Sequence, residues 1–296
     1  MLRSTALTAL LLATSLLACD SAAARLGDPP AVAAATSHGG GGGGGDVGAL
    51  EQRFEELVRR LRESQALPPA QPDPAKTYAV PVGENDPVEG PADARITLVE
   101  AYEFMCPYCA RANPTVEALK AKYGKDLRVV SKYLVLHGPE AVPPALYACA
   151  AAKQGKYGPY KNLLWSSLFD AQLKVQRDQF TLENLDALAT QAGLDLVALK
   201  NDVGMEATAE TACMTWIKDS MRDLEKFNVS GTPAFFVNGR PLLGAYPQEA
   251  FEKVITEELA KANRAIEGGV AAADYYQVAV IGKGEREVVD TLLGAP

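Results

Sequence analysis

The chain has 296 residues, is 48% hydrophobic and 22% charged, and carries a net charge of −8 with a pI near 5, the composition of a folded protein with one or two domains. The acidic balance and the lack of a Lys/Arg-rich run argue against nucleic acid or an anionic membrane surface as a partner, since both bind through clustered positive charge. Five cysteines, an odd number, imply one with a fate of its own.

Met1-Leu2-Arg3 is a short positive start, and Ala6 to Leu17 is an apolar run too short for a bilayer, which needs roughly 20 residues. Residues 1–18 therefore read as an export signal. Its end, Leu16-Leu17-Ala18-Cys19, resembles the lipobox of bacterial lipoproteins, whose cysteine takes diacylglycerol and becomes the new amino terminus. An ordinary secretory signal with an incidental cysteine is the other reading. A lipidated Cys19 carries several acyl chains, more than the single chain that anchors only marginally. Asp20 resembles a retention signal for the inner membrane, so the expected location is the periplasmic face of that membrane.

Residues 19–46, with seven consecutive glycines from Gly39 to Gly45, read as a flexible tether with an end-to-end distance of roughly 25–30 Å. Within residues 47–67, Leu50, Phe54, Leu57 and Leu61 recur at helical spacing, predicting an amphipathic helix. Its apolar face either packs on the parent domain or forms a homodimer through Leu50–Leu61. Pro68, Pro69, Pro72 and Pro74 make residues 68–76 a linker.

A main domain is expected over 77–262. Tyr78 to Val82 reads as a short strand, the stretch to Ala94 as turn-rich, and Arg95 to Tyr102 as a central strand of β-branched and apolar residues. Cys106-Pro107-Tyr108-Cys109 follows, then helix-forming sequence from Ala110 to Tyr123. Cys106 falls at a helix N-cap and Pro107 at the first helical position, where a missing N–H is no loss. The helix N-terminus favours a thiolate at Cys106. Cys109, one turn on, is placed to attack a mixed disulfide at Cys106, which makes Cys106 the exposed nucleophile and Cys109 the buried resolving thiol. An inert disulfide and half of a zinc site are the competing readings. Zinc would need two further ligands, and the chain has only His38 and His137 and no second Cys-x-x-Cys, so no metal is expected.

Glu103-Phe104-Met105-Cys106-Pro107-Tyr108-Cys109 and, downstream, Val229-Ser230-Gly231-Thr232-Pro233-Ala234-Phe235-Phe236-Val237-Asn238-Gly239 occur in the order found in the DsbA-like branch of the thioredoxin superfamily, which the chain resembles over residues 77 to 262. The resemblance implies an α/β thioredoxin fold and a cis-proline at Pro233 abutting the active-site cysteines. Thr232 beside it offers backbone N–H and C=O groups to a substrate strand, recognising backbone rather than sequence; with Pro107 and Tyr108 these residues form the expected substrate contacts. Asn238-Gly239 reads as a hairpin turn. By strand alternation Ile96, Leu98 and Glu100 share one face. A buried Glu100, placed like the family's buried acid, would relay the proton of Cys109; otherwise it is a solvated strand-end residue. Glu103 is expected to be exposed.

After a strand from Leu127 to Leu136, residues of about 138–225 are rich in Ala, Leu, Lys and Gln with Gly and Pro breaks and read as a helical insertion lying between that strand and the cis-proline strand. His137 reads as a loop cap or surface residue, or else as a neighbour of the site. Cys149 and Cys213, on different helices of the insertion, form a structural disulfide or stay as two buried small hydrophobes. Pro247 to Ile266 carries Phe251, Val254, Ile255 and Leu259 on one stripe, a closing helix. Residues 263–296 form a tail with a helix expected around Ala272 to Val280. Together these features predict an exported, membrane-tethered thiol–disulfide oxidoreductase acting on cysteine-containing exported proteins, with a redox partner that resets it and no dissociable cofactor. The alternative is a non-enzymatic copper-delivery or scaffold lipoprotein on the same fold.

Overall fold

The computed structural model describes residues 52–53, 70–169, 179–204 and 210–288. The export signal, Cys19, the tether and the helix predicted through Leu50–Leu61 lie outside the described residues, apart from Gln52 and Arg53, which are helical. The chain divides into two units, Met1–Ala66 and Leu67–Pro296, and the architecture below is that of the second.

Five strands form one sheet: β1 (Val88–Glu89), β2 (Ile96–Tyr102), β3 (Leu127–Tyr133), β4 (Ala234–Val237) and β5 (Arg240–Leu243), in the order β1-β3-β2-β4-β5. β2 is central, parallel to β3 and antiparallel to β4. A parallel pair needs a long crossover, and helix α1 (Pro107–Tyr123) supplies it. All seven residues of β2 are buried, as the apolar run Ile-Thr-Leu-Val demands of a strand covered on both faces. Ile96 and Leu98 pack on one face with Val116 of α1 and with Phe251 and Ile255 of the closing helix, here α7 (Gln248–Glu267). Val99 and Ala101 face the other way, toward Leu224, Phe227 and Tyr276.

The expected insertion consists of α2 (Val142–Lys153), α3 (Tyr157–Leu168), α4 (Leu182–Gln191), α5 (Leu196–Val203) and α6 (Ala212–Glu225). Cys149 on α2 and Cys213 on α6 are joined by a disulfide across a separation of 64 residues. Trp216, fully buried on α6, donates its ring N–H to Ser131 O of β3, fastening the insertion to the sheet.

The β4–β5 turn is the one predicted. Asn238 and Gly239 take φ of +45° and +82°, the left-handed pair that a two-residue hairpin requires. A side chain at Gly239 would also run into Tyr78 O. Asn238 is fully buried; its Oδ1 accepts from Thr97 N at 2.8 Å and its Nδ2 donates to Arg95 O at 3.0 Å, tying the turn to β2. Asn238→Ala is therefore expected to cost about 1–3 kcal/mol, the penalty of leaving a buried donor unpaired, read as a lower urea midpoint.

Two expectations are corrected. Tyr78 to Val82 is not a strand, and β1 lies instead in the stretch read as turn-rich. Tyr78 makes a single bridge to Glu285, and Val80 O accepts from the Tyr276 hydroxyl, so this segment is satisfied by the tail rather than by a ladder. The tail, in turn, does not stop at the domain edge. Residues Ala272–Asp274 and Tyr276–Ile281 are helical turns, and Tyr276 and Val280 are buried against Tyr78, Val80 and Phe236. It covers apolar surface that the sheet would otherwise expose. Among the described residues, no helix is long and apolar enough to cross a membrane.

Candidate active site

β2 ends at Tyr102, and the turn 103–106 closes with Cys106 N donating to Glu103 O at 3.1 Å. Cys106 is the N-cap of α1, with φ −89° and ψ 116°, and Pro107 occupies its first turn, as the motif predicts. Cys109 N and Ala110 N both donate to Cys106 O. Both thiols are free. The Thr232–Pro233 peptide is cis, and Cys106 Sγ donates to Thr232 O at 3.3 Å, so two segments some 125 residues apart meet at one sulfur.

The two thiols are chemically unequal. Cys106 is lowered to about 6, first by a hydrogen bond from Cys109, against burial, and further by the Thr232 hydroxyl and the backbone N–H groups of Cys109 and Tyr108. Thr232 Oγ1 is buried and has no hydrogen-bond partner, so its influence on Cys106 is one of proximity rather than of a formed bond. Cys109 is pushed well above the ordinary thiol value, chiefly by burial and then by donating to Cys106. Only the thiolate is nucleophilic, so at neutral pH the nucleophilic form is favoured at Cys106 and the protonated form at Cys109.

Cys106 is only 3% exposed, which corrects the expectation of an exposed nucleophile: the cis-proline loop lies against its sulfur. Tyr108 is the exposed member of the motif at 56%, with the Arg111 guanidinium 5.1 Å from its ring centre. A lowered Cys106 predicts a measurable titration: the rate of iodoacetamide alkylation rises with pH through a midpoint near 6, rather than near 8.5 for a free cysteine. A depressed pKa stabilises the dithiol form as pH rises through that midpoint, and the stabilisation is lost as pH falls below it. At pH 7 it favours the dithiol and so makes the disulfide more oxidising.

Glu100 is buried on the face shared with Ile96 and Leu98, but it is not alone. Lys161 of α3 places Nζ 2.6 Å from Glu100 Oε2, and both side chains are 1% exposed. The ammonium sits 4.6 Å from the Tyr102 ring centre, and the Tyr102 and Tyr157 hydroxyls share a hydrogen bond of 2.7 Å. Burial alone would lower Lys161, yet Glu100 holds it above the ordinary lysine value. Lys161 lies in an insertion helix with no motif around it, so only the packing reveals it.

Glu103 is fully buried, contrary to expectation. Its carboxylate accepts from Leu136 N at 2.8 Å and His137 N at 3.0 Å, and its other oxygen meets His137 Nδ1. Two backbone donors and the imidazole partner offset the burial of this polar group. His137 thus caps a buried acid through its ring, joining the active-site turn to the segment after β3. Among the described residues, no group of three or more His, Cys, Asp or Glu side chains is arranged to hold a metal ion.

Comparison with known proteins agrees with this arrangement. A family profile described as thioredoxin matches residues 83–257. The Na(+)/H(+) antiporter NhaA of Herminiimonas arsenicoxydans is 35% identical over 175 residues, covering 58% of this chain and 25% of the antiporter. NhaA 3 of Salinispora tropica is 34% identical over 193 residues, covering 64% and 27%. The chain thus spans about a quarter of the length of the curated relatives it matches. Among solved structures, a thioredoxin-like oxidoreductase of Silicibacter pomeroyi aligns with a TM-score of 0.50 at 26% identity, covering 62% of this chain and 94% of that one. BdbD of Bacillus subtilis aligns at 0.53 and 20% identity, covering 63% and 98%. A periplasmic thioredoxin-like protein of Salmonella enterica aligns at 0.51 and 23%, covering 62% and 94%. At such identities the last two speak for the fold alone.

Proposed function

Because this chain belongs to the thioredoxin family, we propose that it is an exported thiol–disulfide oxidoreductase acting on cysteines of other exported proteins through Cys106 and Cys109. The observation that carries this reading is the inequality of the pair: one thiol lowered to about 6 at a helix N-terminus, the other raised by burial. An inert structural disulfide has no use for such a difference, whereas exchange needs a ready nucleophile and a protonated reserve.

The chemistry follows. With the pair oxidised, a substrate thiolate attacks Cys106 Sγ, the Cys106–Cys109 bond breaks, and Cys109 leaves as a thiolate that takes up a proton. A second substrate thiolate then displaces Cys106, leaving a substrate disulfide and two protein thiols. In the opposite direction the Cys106 thiolate attacks a substrate disulfide, and Cys109 resolves the mixed disulfide after losing its proton. Glu100 serves as proton relay for Cys109, with Lys161 holding the carboxylate in place. Thr232 and Pro233, with Pro107 and Tyr108, hold the substrate segment. The lipobox supports a membrane tether through lipid on Cys19, at the periplasmic face of the inner membrane, and the amphipathic repeat supports a homodimer through Leu50–Leu61. A redox partner resets the pair.

The test is to incubate the oxidised protein with a reduced, unfolded protein bearing two cysteines, and the reduced protein with a scrambled disulfide substrate. Stoichiometric loss of thiols or reshuffling of disulfides is expected. If Cys106 and Cys109 react reversibly with neither substrate, the oxidoreductase reading fails.

A further inference from the structure

Beside Thr232 and Pro233 lies a cleft of about 210 Å³, whose lining also includes Gln71, Val229, Ser230 and Leu243. Gln71 is the outsider. It comes from the Pro-rich linker, about 160 residues away from the loop it meets, in a stretch that reads only as a spacer. Its neighbours hold it there. Asn228, with φ +50°, follows the last turn of α6 and donates Nδ2 to Ala70 O at 3.0 Å. Pro72 is buried, and Asp73 N donates to the Tyr78 hydroxyl at 2.8 Å. The linker is therefore pinned on both sides of Gln71.

The size of the cleft limits its occupant. Sites for dissociable small molecules run to roughly 300–1,000 Å³; this one is smaller and suits a side chain of a bound segment. Its position limits the occupant further. Thr232 and Pro233 are part of its wall, and Thr232 O lies 3.3 Å from Cys106 Sγ, so a segment joined through sulfur to Cys106 has its flanking residues at the mouth. In an extended segment neighbouring side chains point to opposite sides, so of the residues beside the reacting cysteine one is free to enter a cleft that adjoins the cis-proline loop.

We propose that Gln71 is a specificity-determining residue: the linker forms one wall of the substrate cleft, and Gln71 selects extended cysteine-bearing segments by the size of the side chain next to the reacting cysteine. The proposal rests on the oxidoreductase reading above and adds to it a wall drawn from outside the catalytic motifs.

The test uses the full-length oxidised protein and dithiol peptides that differ only in the residue flanking the first cysteine, alanine or tryptophan, on either side of it. Each turnover oxidises one peptide to its disulfide and reduces Cys106–Cys109 to two thiols, so no further reagent is consumed. The readout is the ratio of second-order rates for the tryptophan and alanine peptides. Gln71→Ala, which widens the cleft, is expected to raise this ratio about tenfold, the scale of a pocket misfit; Gln71→Trp, which fills it, is expected to lower it by a similar factor. A ratio that stays within about twofold of the wild type in Gln71→Ala overturns the proposal, whether or not Gln71→Trp folds. Failure of the wild type to react with either peptide and with dithiothreitol would instead remove the oxidoreductase reading itself, a result visible before any variant is made.

Discussion

Replacing Cys106 by serine is expected to reduce thiol–disulfide exchange to background, a loss of at least ~10³-fold, without disturbing the fold. Cys106 supplies the thiolate, and its hydroxyl counterpart has no comparable acidity. Its backbone role survives the change, since the bonds from Cys109 N and Ala110 N go to the carbonyl of residue 106, and serine is a favoured N-cap. Cys109→Ser behaves differently. Cys106 remains nucleophilic and captures a substrate disulfide, but nothing resolves the product, so a mixed disulfide accumulates and shows as added mass. Cys109→Ala goes a step further. The hydrogen bond from Cys109 is the largest influence lowering Cys106, and alanine deletes it while serine keeps an O–H donor. The alkylation midpoint should therefore move up from about 6 in the alanine variant by more than in the serine variant. Equal midpoints in the two would show that the helix N-terminus and Thr232 govern Cys106 by themselves.

The second large effect concerns stability. The Cys149–Cys213 disulfide closes a loop of 64 residues, and loop-closure entropy assigns such a cross-link about 4 kcal/mol. Against the 5–15 kcal/mol by which folded domains are ordinarily stable, its loss is severe. A Cys149→Ala, Cys213→Ala double variant is expected to lose about that much unfolding free energy, so its urea midpoint falls by that energy divided by the m-value, and the wild type should lose the difference on reduction. Both sulfurs are buried and sit on helices of one layer, α2 and α6, so the variant also leaves small cavities that add to the cost. Non-reducing peptide mapping checks the pairing first. Two free thiols at 149 and 213 in air-oxidised protein would refute it.

Local signals in the chain were strong wherever one short stretch carries the whole message. Cys106-Pro107-Tyr108-Cys109 after an apolar run states its own geometry, because a proline at a helix start and a cysteine at its cap follow from backbone donors that the first turn leaves unpaired. Asn238-Gly239 likewise announces its turn, since few residues accept positive φ. The insertion was legible from its composition and its Gly and Pro breaks, the closing helix from its periodic stripe. In contrast, Glu103 read as exposed because a lone acid in a sequence carries no sign of its donors, which come from Leu136 and His137, over thirty residues away. Lys161 was silent for the same reason.

What the sequence by itself determined was the chemistry: a cysteine pair on a helix N-terminus and a proline segment to face it. Only the tertiary structure decided which distant groups condition that chemistry. Thr232 sets its carbonyl against the Cys106 sulfur, Lys161 neutralises Glu100, the tail from Ala272 covers the sheet, and the linker at Gln71 borders the cleft. The physical reason is range. Caps, turns and periodicity act between residues a few positions apart and leave a pattern in the chain, whereas burial, ion pairing and cleft walls depend on which surfaces meet, a consequence of packing the whole domain at once.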